Sequence, residues 1–148
     1  MLEKIKDDMK DAMKAGDKLK VGTLRMMISE IKNLQIEKGG VNVELEEADI
    51  LTLIQRGVKK RNEAAKSFRD GERTEMAEKE EAEAKILQAY LPEALTGEEL
   101  EKAVEEAIAS TGAQTKRDMG KVMGFMMGKY RGRVDGKSVQ AIVMAKLP

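Results

Sequence analysis

Residues 90–100 read Tyr-Leu-Pro-Glu-Ala-Leu-Thr-Gly-Glu-Glu-Leu, and this stretch decides how the chain is organised. Pro92 disfavours helical backbone at Leu91, so a helix that reaches this point has to end there. Thr96 followed three residues later by Glu99 is the pattern of a capping box, which starts a new helix. The stretch therefore predicts two domains, residues 1–92 and residues 93–148.

Four helices are expected before Pro92, because apolar residues recur at helical spacing and only glycines interrupt them. Their expected ends are Gly16, about Lys38, about Asp70 and Tyr90. The fourth helix is Glu- and Ala-rich, and its apolar anchors are Met76, Ile86 and Leu87. Residues 41–45 alternate briefly in the manner of a strand, and we expect them to form a loop.

Three further helices are expected after Pro92. The first follows Thr96, the second begins at the box-like sequence from Thr115 to Asp118, and Asp135 can cap the third. Strand-type alternation never lasts along the chain. The predicted fold class is all-α, with two helical bundles of about four N-terminal and three C-terminal helices.

The composition of the 148 residues excludes much chemistry. Cysteine and histidine are both absent, so the chain has no thiolate nucleophile, no Cys/His zinc site and no imidazole acid–base group. We expect no catalytic residue, no cofactor, no metal and no autonomous enzymatic activity. The N-terminus carries charges from Glu3 onward and no apolar targeting segment, so we expect a cytoplasmic protein without a membrane span.

Charge is distributed unevenly although the whole chain is neutral, with 27 basic and 27 acidic residues. Residues 93–110 hold six glutamates and one lysine, whereas residues 111–148 hold eight basic residues and two aspartates. Concentrated positive charge is what a phosphate backbone requires. The candidate nucleic-acid-binding residues are Lys121, Lys129, Arg131, Arg133 and Lys137.

Glycines recur every four residues through the same segment, at Gly120, Gly124 and Gly128 and then at 132 and 136. Each glycine inside a helix costs about 0.5–1 kcal/mol relative to alanine, so the repeat suggests a compensating close approach. The partner could be another helix of the same domain or a phosphate backbone. The alternative to RNA binding is a tight helix–helix contact with an incidental basic rim.

Two other charged runs favour ordinary structural roles. Lys59, Lys60 and Arg61 precede Glu63 and Lys66, which is typical of a solvated helix face with ion pairs at i,i+4 spacing. Glutamates at 78, 80, 81 and 83 do not converge on one helix face, so a metal site is not expected there.

Several of these motifs together resemble the GatB/YqeY-domain family, over essentially the whole chain. The motifs are Leu24-Arg25-Met26, Ile31-Lys32-Asn33, Tyr90-Leu91-Pro92 and Asp118-Met-Gly-Lys-Val-Met-Gly124. The length and layout resemble the YqeY-like small bacterial proteins. The same module ends the B subunit of the tRNA-dependent amidotransferase, where it is understood to contribute to tRNA recognition.

The resemblance implies two α-helical bundles and places Lys121 and the basic turn after it against tRNA. It also implies an association with amidotransferase systems, which are glutamine-dependent carbon–nitrogen ligases. The amidase, glutaminase and metal-dependent catalytic parts of those systems have no counterpart in this chain.

The leading hypothesis is therefore a stand-alone tRNA- or RNA-binding helical module without catalysis of its own. One alternative is an accessory component that acts only inside an amidotransferase complex, beside its subunits. Another is a protein-interaction module whose glycine stripe docks a partner helix. Salt-sensitive retention of tRNA favours the first, copurification with amidotransferase subunits the second, and salt-insensitive binding the third.

Overall fold

A computed structural model describes residues 1–40 and 42–148, and over these residues the chain is helical with no strand. The all-α class is therefore confirmed. The helices are α1 (Leu2–Ala15), α2 (Lys18–Glu37), α3 (Glu47–Asp70), α4 (Thr74–Gln88), α5 (Gly97–Thr111), α6 (Met119–Lys129) and α7 (Gly136–Lys146). A single 3-10 turn, Lys116–Asp118, precedes α6.

The chain divides into two compact units, Met1–Leu91 and Pro92–Pro148. The first unit contains α1 to α4 and the second contains α5 to α7. Each unit has its own hydrophobic core. Part of the stretch expected to be a loop, residue 41, lies outside the described residues, and residues 42–45 belong to no helix or strand.

In the first unit, Gly16 and Asp17 set the end of α1 and the start of α2. Gly16 has a φ of 73°, a left-handed conformation that glycine adopts without steric cost, and it ends α1. The Asp17 carboxylate accepts a hydrogen bond from the Lys20 amide at 3.1 Å and starts α2. These two residues turn the chain back, so that α1 and α2 pack as a helical hairpin.

A long hairpin of α3 and α4 completes the first unit. Gly57 of α3 lies where the core is tightest, since a Cβ atom there would stand 3.1 Å from both Leu87 Cδ1 and Met27 Cε. The prediction that Met76 anchors α4 is wrong, because its side chain is 47% exposed. Small residues let α4 approach closely instead, with Ala77 and Ala84 buried beside Leu87.

The predicted solvated face on α3 is also wrong at Arg61, which is only 7% exposed. Its Nε donates to Glu83 Oε2 at 3.2 Å and its Nη1 donates to the Gly57 carbonyl at 3.2 Å. Arg69 forms a two-pronged pair with Glu81, at 2.7 and 2.8 Å. Two of the α4 glutamates therefore serve as ion-pair partners of α3.

In the second unit, the two predicted capping boxes have different outcomes. Thr96 is the N-cap of α5, but its side chain makes no capping hydrogen bond, so that prediction is wrong. Gly97 has a φ of 55°, which takes the first helical residue out of the geometry that a box requires. At Thr115 the box is present, and the Asp118 carboxylate accepts from the Gln114 and Thr115 amides.

The core of the second unit is aliphatic and lies between its three helices. Its largest fully buried side chains are Val104, Val122, Met126, Val139 and Val143. Val122 and Met126 are one helical turn apart, so a single face of α6 enters the core and the opposite face is left outside. Asp135 occupies the N-cap position of α7, and its carboxylate accepts from the Ser138 hydroxyl at 3.4 Å.

Candidate nucleic-acid interface

The five predicted cations all lie on α6, on the turn after it, or on the first turn of α7. Lys121 is in the first turn of α6 and Lys129 is its last residue. Arg131 and Arg133 are in the following turn, and Lys137 is in the first turn of α7. One helix–turn–helix segment therefore carries the whole set, but its members have different environments.

Lys129 is already paired inside the unit. Its Nζ lies 2.7 Å from Glu106 Oε1, and it also stands 5.6 Å from the Phe125 ring centroid and 5.4 Å from that of Tyr130. The hydrogen bond to Glu106 raises the pKa of Lys129 above its ordinary value. Because Lys129 is paired with Glu106 of α5, it is a weaker phosphate ligand than the sequence predicted.

Arg133 fixes the turn in place. Its Nε donates to the Glu93 carbonyl at 2.8 Å, and its own carbonyl accepts from the Leu95 amide at 2.9 Å. Its guanidinium also lies over the Tyr130 ring, 5.9 Å from the centroid. A carbonyl acceptor leaves the positive charge uncompensated, so Arg133 combines a structural contact with a cation directed at the surface.

The remaining three predicted cations, Lys121, Arg131 and Lys137, are exposed. Within the described part of the chain, none of them forms an ion pair shorter than 4.0 Å. Lys121 contributes, after the amides of Gln114 and Thr115, to the lowered pKa of Asp118. These three side chains are the cations most available to an external anion.

Sequence reasoning missed two further exposed cations, Lys116 and Arg117, in the turn that precedes α6. The charge pattern could have identified both residues, since they belong to the basic segment 111–148. Lys146 of the same segment is paired with Glu105 at 2.9 Å. The cations at the surface therefore form two groups. Lys116, Arg117 and Lys121 lie at the start of α6, and exposed Arg131 and Lys137 lie beyond its end with half-buried Arg133.

The predicted close approach at the glycine repeat is not found among residues 1–40 and 42–148. Gly120, Gly124 and Gly128 are exposed, and a Cβ atom at any of them would meet no atom within 4 Å. The reason is the orientation of α6, whose buried face is formed by Val122 and Met126. The alternative of a tight helix–helix contact inside this domain is wrong for the same reason.

The glycine face and the cations define one surface, which we call the α6 surface: Gly120, Gly124 and Gly128 with the two cation groups. From Lys121, the third residue of α6, to the helix end at Lys129, where the second group follows, the helix rises by roughly 12 Å at 1.5 Å per residue. Lys121, Gly124 and Gly128 follow i,i+3 and i,i+7 spacing, which places them on the same side of the helix. The surface is thus flat in the middle and positive at both ends.

The described residues form neither a metal-ligand cluster nor a membrane-spanning helix. No group of three or more acidic side chains could hold a metal ion there. No helix in the described ranges is long and apolar enough to span a bilayer. A cavity of about 320 Å³ in the first unit is lined by residues of both charges, among them Glu30, Arg56, Lys60 and Glu63.

Comparisons with known proteins show which family the chain belongs to. The model of the family described as Yqey-like protein matches residues 2–147. An uncharacterised protein of Schizosaccharomyces pombe is 35% identical over 89 residues, which cover 60% of this chain and 70% of that protein.

Two further relatives are both named altered inheritance of mitochondria protein 41, mitochondrial. That of Vanderwaltozyma polyspora is 33% identical over 87 residues, covering 59% of this chain and 46% of the relative. That of Clavispora lusitaniae is 35% identical over 91 residues, covering 62% and 51% respectively. The chain spans about half the length of these two relatives. All three relatives are fungal, so they do not support the prediction of a small bacterial protein. Two of them have the word mitochondrial in their names, whereas the sequence predicted a cytoplasmic location.

Proposed function

This chain belongs to the Yqey-like protein family, and we propose that it is an RNA-binding module that holds tRNA through the α6 surface and has no catalysis of its own. The observation that carries the proposal is the exposure of Lys121, Arg131 and Lys137 without an ion pair in the described part of the chain. Unpaired surface cations are the groups that displace counterions from a phosphate backbone.

The spacing of the cation groups suits a polyanion better than a small anion. Lys121 stands roughly 12 Å along α6 from the helix end, where the other group follows, and Lys116 and Arg117 precede the helix. The two groups flank the helix and do not converge on one point, which suits a nucleic-acid backbone because it presents phosphates in series. The open glycine face between them allows a backbone to lie close to the helix.

The choice of tRNA as the ligand rests on the resemblance described for the sequence. Its most specific motif, Asp118 to Gly124, supplies the aspartate of the capping box and the first turns of α6. Lys121 lies in that motif, and it is exposed. An association with amidotransferase subunits follows only from the same resemblance, and copurification of those subunits with the full chain would test it.

Charge reversal at the three unpaired cations tests the proposal. We expect the triple variant Lys121→Glu, Arg131→Glu and Lys137→Glu to lose tRNA binding at low salt, because three phosphate contacts become repulsive. The matched control reverses three exposed lysines of the first unit, Lys10, Lys32 and Lys60, and so changes the net charge equally. Affinities for tRNA and far-UV circular dichroism of both variants give the comparison.

The proposal fails if the two triple variants bind tRNA equally well. Equal weakening would mean that only net charge matters, and unchanged binding by both would place RNA elsewhere on the chain. Arg133 is left unchanged in the test variant, because its bond to Glu93 holds the turn and its loss would disturb the fold.

A second candidate function is favoured by one observation, the open glycine face of α6. Such a face can accept a partner helix at close range, in which case small residues and not cations determine binding. Insensitivity of the partner's binding to ionic strength would favour this candidate over RNA.

A further inference from the structure

The second unit contains two aromatic residues, Phe125 and Tyr130. Phe125 lies beside Lys129, and Tyr130 lies beside Lys129 and beside Arg133 of the α6 surface. Their rings are partly buried against the core of the unit, which fixes their positions, and partly accessible. The whole sequence has only two phenylalanines, two tyrosines and no tryptophan, a composition with few rings for base stacking. In the structure, both aromatic residues of the second unit lie close to the cations at the end of α6.

Tyr130 and Arg133 form a cation–π pair in which the arginine is also hydrogen-bonded. The Arg133 guanidinium lies over the tyrosine ring at 5.9 Å from its centroid, and its Nε is anchored on the Glu93 carbonyl at 2.8 Å. Lys129 stands 5.4 Å from the same ring and is itself held by Glu106. The planar guanidinium and the ring are therefore positioned before any ligand arrives.

A planar group held beside free positive charge has a specific chemical use. Unpaired bases of RNA stack on aromatic rings and on arginine guanidinium planes, and each such base adds to the affinity that the phosphates supply. Arg131, which is exposed next to Tyr130, can hold the phosphate that adjoins the base. A paired base inside a duplex cannot reach such a platform.

We propose that Tyr130 and Arg133 form a stacking platform for one unpaired base of the bound RNA, an inference that rests on the proposed RNA-binding function. It makes single-stranded or looped RNA the preferred substrate class over a continuous duplex. The platform adds selectivity for an accessible base, while the cations at both ends of α6 supply binding that does not depend on sequence.

The test compares two RNA probes and two variants of the full chain. The probes are an unstructured 16-nucleotide RNA and the 16-base-pair duplex made from it. Tyr130→Leu removes the ring but keeps an apolar side chain over the core, and Tyr130→Phe keeps the ring and removes the hydroxyl. We expect Tyr130→Leu to weaken single-strand binding by about 5- to 100-fold and to leave duplex binding unchanged, and Tyr130→Phe to retain the parental affinity.

The salt dependence separates stacking from charge. Tyr130→Leu should lower single-strand affinity without changing the slope of log affinity against log salt, because no phosphate contact is lost. Arg131→Gln should make that slope shallower by about 0.7–0.9 on both probes. A change of slope in the Tyr130→Leu variant would overturn the platform.

Tyrosine fluorescence provides a measurement that does not depend on the leucine variant folding. The chain has no tryptophan and two tyrosines, and Tyr90 belongs to the first unit, where its hydroxyl donates to Asp8. In the Tyr90→Phe variant, emission comes from Tyr130 alone, and a base stacked on it should quench that emission with the single strand but not with the duplex.

The outcomes distinguish this inference from the function on which it rests. Binding of both probes with no quenching and no effect of Tyr130→Leu would overturn the platform and leave RNA binding intact. Failure of the parent chain to bind either probe would overturn both.

Discussion

At the scale of single residues, two kinds of glycine in this chain have opposite meanings. Gly57 is enclosed, because Met27, Leu87 and the Arg61 guanidinium all lie within 3.3 Å of the position a Cβ would take. Gly124 is on the open face of α6 with no neighbour within 4 Å. The first glycine is required by packing, whereas the second weakens its helix without any contact inside the chain to explain it.

Alanine at these two positions should therefore have opposite effects on stability. Gly57→Ala should lower the free energy of unfolding, since overpacking costs about 1–3 kcal/mol and exceeds the gain in helix propensity. Gly124→Ala should raise it by about 0.5–1 kcal/mol. Urea unfolding of the two variants gives both values. Destabilisation by Gly124→Ala would show that the face of α6 is covered in the folded protein.

At the scale of elements, the acidic helix α5 competes for the cations of its neighbours. Glu106 pairs with Lys129 of α6 and Glu105 pairs with Lys146 of α7. These pairs join the three helices of the second unit, and they also withdraw two cations from any external phosphate. The helix that contributes Val104 to the core thus also limits the charge of the surface.

Neutralising Glu106 should strengthen RNA binding. Glu106→Gln releases Lys129 toward solvent, and one more phosphate contact should raise affinity by about 2- to 6-fold at moderate salt. Glu98→Gln is the control, because it removes the same charge from the exposed start of α5 and leaves Lys129 paired. Filter-binding or anisotropy titrations with tRNA measure the difference. Equal gains in the two variants would mean that the pair itself plays no part.

Features of the fold that depend on neighbouring residues were predictable from the sequence, whereas features that depend on distant residues were not. Gly16, Asp17 and the Thr115–Asp118 box depend on neighbouring backbone only, and each was predictable from the sequence. The burial of Arg61 depends on Glu83, which is 22 residues away, and no local pattern reveals it. Helical spacing likewise marked Met76 as apolar but could not show that α4 would approach its neighbours through alanines.

The same limit applies to the candidate site. Sequence patterning located the basic segment and five candidates among its eight cations, because clustering of charge is visible along the chain. Which of them remain unpaired depends on Glu106, which lies 23 residues from Lys129. The face of α6 that carries the glycines was visible from their spacing, whereas its exposure follows from which side Val122 and Met126 bury.

At the scale of the whole molecule, the net charge of zero conceals two units with different distributions of charge. Residues 1–92 hold 18 basic and 19 acidic residues, and buried or bidentate pairs such as Arg61 with Glu83 and Arg69 with Glu81 use part of that charge internally. In residues 93–148 the acidic side chains are concentrated on α5 and the unpaired cations surround α6. The second unit is thus the electrostatically asymmetric one, which is why RNA binding is proposed for it.

The salt dependence of tRNA binding tests that assignment most directly. For the parent chain, log affinity should fall with log salt at a slope between about −2 and −5, as three to five phosphate contacts require. In the variant with Lys121, Arg131 and Lys137 all changed to glutamine, the slope should become shallower by about 2–3, and in the matched glutamine variant of Lys10, Lys32 and Lys60 it should not change. A parental slope near zero, or equal slopes in all three proteins, would contradict the claim that the α6 surface binds the RNA backbone.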